Sequence, residues 1–223
     1  MEPATRTRVK ICCISSVAEA QLAVASGASA LGLVSAMPSG PGVIDEALIA
    51  EIAAGAPPGV ATFLLTSLQS VPSIIAQQRR CGANTLQLVD QLLEGSHADL
   101  RAALPGIKVV QVIHVVGEES VAEALAAAET ADALLLDSGN PLLAIKELGG
   151  TGRRHNWALS RRIRESASVP LYLAGGLNPS NAAEAIAEVG PFGLDLCGGV
   201  RTHGHLDPTK LADFFAAVRS TWK

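Results

Sequence analysis

Short apolar runs rich in leucine and β-branched residues recur along the chain, and stretches with apolar residues at helical spacing lie between them. The runs fall near Val9–Cys12, Ala30–Ser35, Val60–Leu65 and Thr85–Val89, then near Lys108–Val115, Ala133–Asp137, Pro170–Ala174 and Gly193–Cys197. Each reads as a strand buried on both faces, the pattern of a parallel sheet covered by helices. The intervening Ala-rich stretches read as those helices. The first spans Val17–Ser26, with Ser15 or Ser16 as N-cap and Gly27 as its stop. Another covers Asn181–Glu188, opened by Pro179 and capped by Asn178, and Pro208–Arg219 forms the last.

Eight alternating strand and helix units favour closure into a (β/α)8 barrel, with an open doubly wound α/β sheet as the alternative. No linker or low-complexity tract interrupts the pattern, so residues 1–223 read as one barrel domain. The longest loop, Ser138–Arg154, follows the C-terminal end of the sixth strand, where barrel enzymes place functional loops.

Composition narrows the function classes. Aromatics are only 3% of the residues, so Ala, Val, Leu and Ile must fill the core. The net charge is −4 and basic residues cluster no further than pairs such as Arg79-Arg80 and Arg161-Arg162, which argues against nucleic acid as a partner. No apolar run reaches the roughly 18 residues of a membrane span. Met1 to Arg8 is polar and lacks the apolar core of a signal peptide. The four cysteines show neither CxxC nor zinc-ligand spacing. Together these features predict a reduced, cytoplasmic protein, with monomer and homodimer both open.

Phosphate binding has the clearest physical signal. Glycine clusters follow the sixth, seventh and eighth strands: Gly149-Gly150-Thr151-Gly152, Gly175-Gly176 and Gly198-Gly199. Glycine lets backbone N–H groups approach an anion, and barrels commonly hold phosphate after strands seven and eight. One such pair alone reads as a tight turn; two pairs at these two strand ends point to a phosphorylated small molecule. Cys12 ends the first strand, where alternation puts it on the face of Lys10, with Ile11 and Cys13 opposite. It reads either as a reactive thiol or as a small buried hydrophobe. Asp137 ends the apolar run Ala133–Asp137, and a carboxylate there is costly to bury unless paired or used; capping the next loop is its structural role. Asp195 sits between two leucines of the eighth strand, for function or for a structural ion pair. Cys12 and Asp137 come from strands that are not neighbours, and they would face each other across the barrel mouth as a base and an acid. His114 and His155 read as structural or solvent-facing rather than catalytic, and His203 and His205 as surface residues with no third metal ligand in view. Trp157 and Trp222 are expected to pack in helices outside the barrel.

At these residues the sequence resembles the phosphoribosylanthranilate isomerase family, from Val9 to the last helix. The family's Lys-Ile-Cys-Gly start corresponds to Lys10-Ile11-Cys12-Cys13, and its strand-six aspartate to Asp137. Its Gly-Gly-Ser/Thr-Gly loop, commonly followed by a Trp, corresponds to Gly149–Gly152 and Trp157. Its Leu-Ala-Gly-Gly-Leu-x-Pro-x-Asn stretch corresponds to Leu173–Asn181, and its Asp-x-Ser-Ser-Gly-Val to Asp195–Val200. The resemblance implies a cofactor-free, metal-free Amadori rearrangement of an N-glycosylated ribose 5-phosphate to a 1-deoxyketose in tryptophan biosynthesis. It implies Cys12 as general base, Asp137 as general acid, and Asp195, Gly150, Thr151, Gly152, Gly175, Gly176, Gly198 and Gly199 as substrate-binding residues.

The sequence also departs from the family. The arginine of its Pro-x-Ser-Pro-Arg segment after strand two is absent from Met37–Gly42. Its strand-four Gln-Leu-His-Gly reads Gln87-Leu88-Val89-Asp90, and His114 stands at or near its strand-five arginine. Cys13 and Cys197-Gly198 replace small residues. The polar groups near the aglycone are thus lost, while the phosphate end and the acid–base pair are kept. A barrel that binds a phosphate ligand without catalysis, or acts on another N-glycosyl ribose phosphate, is the alternative to the isomerase itself. A metal-dependent hydrolase is disfavoured for want of a His/Asp cluster at the strand ends, and a Schiff-base aldolase for want of a lysine at the ends of the central strands.

Overall fold

The computed structural model describes residues 6–222. Most of the polar N-terminal segment, residues 1–5, and Lys223 lie outside the described residues. Eight parallel strands close into a barrel in sequence order. They are β1 (Arg8–Ile11), β2 (Ala30–Val34), β3 (Ala61–Thr66), β4 (Thr85–Leu88), β5 (Lys108–His114), β6 (Ala133–Asp137), β7 (Leu171–Leu173) and β8 (Gly193–Leu196). The helices outside them are α1 (Val17–Ser26), α2 (Glu46–Gly55), α3 (Val71–Cys81), α4 (His97–Ala103), α5 (Glu119–Ala128), α6 (Trp157–Ser166), α7 (Ala182–Val189) and α8 (Pro208–Arg219). A short hairpin, β9 (Arg201–Thr202) and β10 (His205–Leu206), precedes α8. The open-sheet alternative is excluded by the β1–β8 pairing, which sets Lys10 beside Asp195 and Ile11 beside Leu196.

Strand alternation explains the two apolar layers. Val9 and Ile11, Leu134 and Leu136, and Leu194 and Leu196 point outward and pack with the helices. Ala30, Phe63, Val110, Val112, Leu135 and Tyr172 fill the barrel interior. The same period turns Lys10 and Asp195 inward, where the Lys10 ammonium meets an Asp195 carboxylate oxygen at 2.8 Å. Removing one partner of such a buried pair typically costs about 3–5 kcal/mol, because the other charge is left uncompensated. Burial alone would lower the Lys10 pKa, but the Asp195 carboxylate outweighs that and holds it above its ordinary value. The ammonium therefore stays charged and is no Schiff-base nucleophile.

Local signals place the helices as the sequence predicts, with small shifts. Ser16 caps α1 by accepting the Glu19 N–H, and Gly27 ends it in the left-handed region. At α7 the N-cap position belongs to Asn181 rather than Asn178. The Asn178 carboxamide instead closes its own loop by accepting the Ser180 N–H at 2.9 Å. Trp157 is buried at the start of α6 as expected. Trp222 corrects its expectation: it lies beyond the end of α8, exposed, beneath the Arg6 guanidinium.

Candidate active site

One cavity of about 770 Å³ opens at the C-terminal ends of the strands. Cys12, Asp137, Asp195 and all three glycine clusters line it, so the fold brings every sequence-predicted site residue to one place. β1 and β6 are separated in the ring by β7 and β8 on one side and by four strands on the other, and Cys12 and Asp137 enter the cavity from these separate strand ends.

At the β1 end the strand alternation breaks. Cys13 adopts a left-handed φ of 61°, a conformation that glycine takes without cost and that side-chain-bearing residues rarely adopt. The turn brings the Cys13 side chain into the cavity together with Cys12, so the expectation that Cys13 faces the opposite side is corrected. Arg201 holds this turn. Its guanidinium donates to the Cys13 carbonyl at 2.6 Å and the Cys12 carbonyl at 3.3 Å, and to the Glu19 carboxylate at 2.9 Å. Glu19 also accepts the N–H groups of Ser15 and Leu206, each at 3.0 Å. Neither Arg201 nor Glu19 stands out in the sequence, because their ion pair joins residues 182 positions apart.

At the β6 end one Asp137 oxygen, Oδ1, accepts the Ser138 N–H at 2.7 Å, the local loop-capping role expected of it. Ser138 in turn bonds Thr151 at 2.7 Å and so ties the acid to the glycine loop. That loop passes so near that a Cβ on Gly149 would stand 2.6 Å from Asp137 Oδ2. His155 bonds Ser160 at 2.7 Å, and burial pushes its pKa down to about 4, so its ring is neutral at pH 7. His114 is not among the cavity residues; it is buried and its Nε2 is hydrogen-bonded to the Val89 carbonyl at 3.0 Å. His203 and His205 lie exposed at the β9–β10 hairpin.

Between β7 and β8 the glycine clusters converge. Gly175 and Gly176 have φ of 84° and 64°, and their N–H groups find no protein acceptor among the described residues. Gly198 and Gly199 open a single 3-10 turn whose first N–H groups are likewise unpaired within it. Gly199 lies directly on the β7 loop: a Cβ there would fall 2.0 Å from the Leu177 carbonyl oxygen. The arrangement is a backbone cradle suited to an anion.

The opposite sector is different. Val34, Met37, Leu65, Val89 and Leu148 make the wall near β2 to β4 apolar. Its polar member is Gln87, whose buried Oε1 has no hydrogen-bond partner among the described residues. Gln87 belongs to the strand-four motif, yet sequence reasoning did not select it as a site residue. Among the described residues Arg201 is the only Arg or Lys that lines the cavity, and its guanidinium is committed at the β1 end. The Met37–Gly42 segment is tied to the long loop instead: Ser39 Oγ donates to the Lys146 carbonyl at 2.6 Å. Pro41 packs on Gly150, and Lys146 pairs with Asp90.

The fold and cavity together define a (β/α)8 barrel with a thiol and a carboxylate facing one pocket beside an anion cradle. The family model described as N-(5'phosphoribosyl)anthranilate (PRA) isomerase matches residues 9–217, and the chain belongs to that family. It is 34% identical over 209 residues to N-(5'-phosphoribosyl)anthranilate isomerase 2 of Methanosarcina mazei, covering 93% of this chain and 92% of that one. It is 32% identical to the isomerase of Halobacterium salinarum, over 96% of this chain and 97% of the other. The crystal structure of phosphoribosyl anthranilate isomerase from Thermotoga maritima superposes with a TM-score of 0.78 at 28% identity, over 96% and 99% of the two chains. A crystal structure of phosphoribosyl anthranilate isomerase in complex with reduced 1-(o-carboxyphenylamino)-1-deoxyribulose 5-phosphate gives a TM-score of 0.76 at 26% identity, over 96% and 99% of the two chains.

Proposed function

We propose that this protein catalyses the Amadori rearrangement of N-(5'-phosphoribosyl)anthranilate to the 1-deoxyribulose 5-phosphate, a step of tryptophan biosynthesis. The observation that carries the reading is the meeting of Cys12, Asp137 and the Gly175-Gly176 and Gly198-Gly199 backbone in one cavity. Phosphate bound at the β7–β8 cradle, with the Gly150-Thr151-Gly152 loop alongside, fixes the ribose so that its ring spans the two side chains. Asp137 donates a proton to the ring oxygen; the C1–O bond breaks and the amine nitrogen forms the iminium at C1. The Cys12 thiolate then takes the C2 proton, the electron pair moves into the C1–C2 bond, and the enolamine tautomerises to the ketone. The iminium is the electron sink, so no metal or organic cofactor takes part in the scheme. Asp195, fixed by Lys10 at the cavity floor, accepts a sugar hydroxyl. The phosphorylated sugar is the partner this site requires. No helix among the described residues is long and apolar enough to cross a membrane, and a cytoplasmic location suits a biosynthetic step of this kind.

The apolar β2–β4 sector, whose cavity lining holds no Arg or Lys among the described residues, favours a second reading, in which the same pocket serves an N-glycosyl ribose phosphate whose aglycone lacks a carboxylate, or binds it without turnover. Complementation of a tryptophan auxotroph lacking this isomerase tests the first reading. Growth that requires both Cys12 and Asp137, with Cys12→Ala and Asp137→Asn as controls, supports it. Soluble protein with no growth moves the assignment to the second.

A further inference from the structure

Three of the four cysteines gather at the barrel seam. The β1–β8 register runs through Ile11 and Leu196, and the Cys12 N–H continues it by donating to the Leu196 carbonyl at 2.8 Å. The next step sets Cys12 beside Cys197, at the spacing of about 4.8 Å that separates adjacent strands. The left-handed turn then swings Cys13 into the same space, and its thiol meets those of both Cys12 and Cys197. All three line the cavity; Cys12 and Cys13 are buried and Cys197 is half-buried. The isomerase chemistry uses only one of them.

We propose that Cys197 and Cys13 form a peroxide-reactive dithiol, with Cys197 as the attacking thiol and Cys13 as the resolving thiol. Cys197 is the most solvent-accessible of the three, it faces an open cavity, and the Arg201 guanidinium lies beside it. Interaction with the Cys13 thiol, helped by Arg201, holds the Cys197 thiol below its ordinary pKa against the opposing effect of burial. The Cys12 and Cys197 thiols and burial push Cys13 up, so it stays protonated. An accessible, low-pKa thiol beside a second thiol is the arrangement that reacts with hydroperoxides and then closes to a disulfide. The fourth cysteine is the contrast: Cys81 is buried in α3 and pushed up to about 11 by burial.

The chemistry balances with one hydroperoxide. The Cys197 thiolate attacks a peroxide oxygen; an S–O bond forms, the O–O bond breaks, and hydroxide leaves to become water. Sulfur is oxidised by two electrons and the peroxide is reduced. The Cys13 sulfur then attacks the sulfenic sulfur; the S–S bond forms, the S–O bond breaks, and the departing hydroxide takes the Cys13 proton. The Cys13 and Cys197 thiols already meet in the cavity, so the S–S bond closes between side chains in contact. The bond pins β1 to β8 at the turn that carries Cys12, so oxidation blocks the pocket reversibly.

The test is intact-mass analysis and disulfide mapping after exposure of the full chain to hydrogen peroxide, followed by dithiothreitol. The expected result is loss of two hydrogens, a Cys13–Cys197 cross-link, an unmodified Cys81, and full reversal by the dithiol. Cys12→Ala forms the same cross-link, whereas Cys197→Ser does not. Because mass is the readout, the result stands apart from whether the protein turns over any substrate. A cross-link to Cys12, or oxygen added at Cys12 with Cys13 and Cys197 still reduced, overturns the proposal. So does resistance of all three thiols at peroxide concentrations that oxidise an unhindered thiol peptide.

Discussion

The two halves of the barrel mouth are built on different principles. Around β6, β7, β8 and β1, polar groups converge on the cavity and each is held by a neighbour: Asp137 by Ser138, Asp195 by Lys10, and the Cys12–Cys13 turn by Arg201. Around β2 to β4 the wall is apolar, Gln87 is unpaired, and the loops brace one another through Ser39, Lys146 and Asp90. In the proposed mechanism one half serves proton transfer and phosphate, and the other would meet the aglycone with an apolar wall whose lining offers no Arg or Lys among the described residues. On that proposal, reaction type lives in the first half and substrate preference in the second.

The sharpest way to break it is to remove the acid or the base. Cys12→Ala and Asp137→Asn are each expected to lower kcat by about 10²–10⁴-fold, the usual contribution of a positioned acid or base. Affinity for a ribose 5-phosphate ligand, measured by calorimetry, should hold nearly constant. A matching loss of affinity would show that the two functions are not separable.

A gain-of-function test addresses the other half. With the shared Ser39 as the anchor, the family's arginine falls at Pro41, which lines the cavity. Pro41→Arg is expected to lower KM for the carboxylated substrate by about 10–150-fold, the value of a hydrogen bond to a charged group at about 1.5–3 kcal/mol. It should leave an aniline analogue without the carboxylate unaffected. Equal gains for both would place the effect in the loop packing on Gly150 rather than in charge recognition.

In the phosphate cradle, Gly199→Ala sets a methyl group against the Leu177 carbonyl, which must move. We expect KM to rise about tenfold, the equivalent of roughly one charge-assisted hydrogen bond, with kcat little changed. Inhibition by inorganic phosphate should weaken in parallel, and unchanged inhibition would relocate the anion site.

The smallest effect concerns Glu19, which anchors Arg201. Burial pushes its carboxyl up, but Arg201 and the Leu206 and Ser15 N–H groups prevail and hold it below the ordinary range. A carboxyl depressed on folding contributes stability that is complete above its unfolded value, about 4.3, and is lost as pH falls through the folded value. Glu19→Gln should therefore lower Tm at pH 7 and flatten the decline of Tm below about pH 4.3. A parallel decline in both proteins would remove Glu19 from the acid response.

How much of this was legible in the sequence follows from the range of the interactions. Period-two alternation puts Asp195, between Leu194 and Leu196, inside the barrel, and the glycine pairs announce themselves at strand ends. Cys13 defeats the same rule, because one left-handed residue reverses the facing of the side chain, and no local pattern marks that turn beyond the family's glycine. Arg201 and Glu19 were invisible because their pairing depends on closure of β8 against β1. Gln87 carried a signal in its motif, but only the cavity shows that its oxygen is unpaired. The missing arginine was readable from Met37–Gly42; the bracing of that segment, Ser39 to Lys146, spans 107 positions.

The central claim is an intact catalytic half beside an aglycone half blind to charge. The measurement that tests it most directly is kcat/KM of the purified protein on N-(5'-phosphoribosyl)anthranilate and on the aniline analogue lacking the carboxylate, side by side. The account predicts turnover of both, with a ratio below the roughly 10–150-fold that one charged hydrogen bond confers. A preference for the anthranilate substrate beyond that range, or no turnover of either, would contradict it.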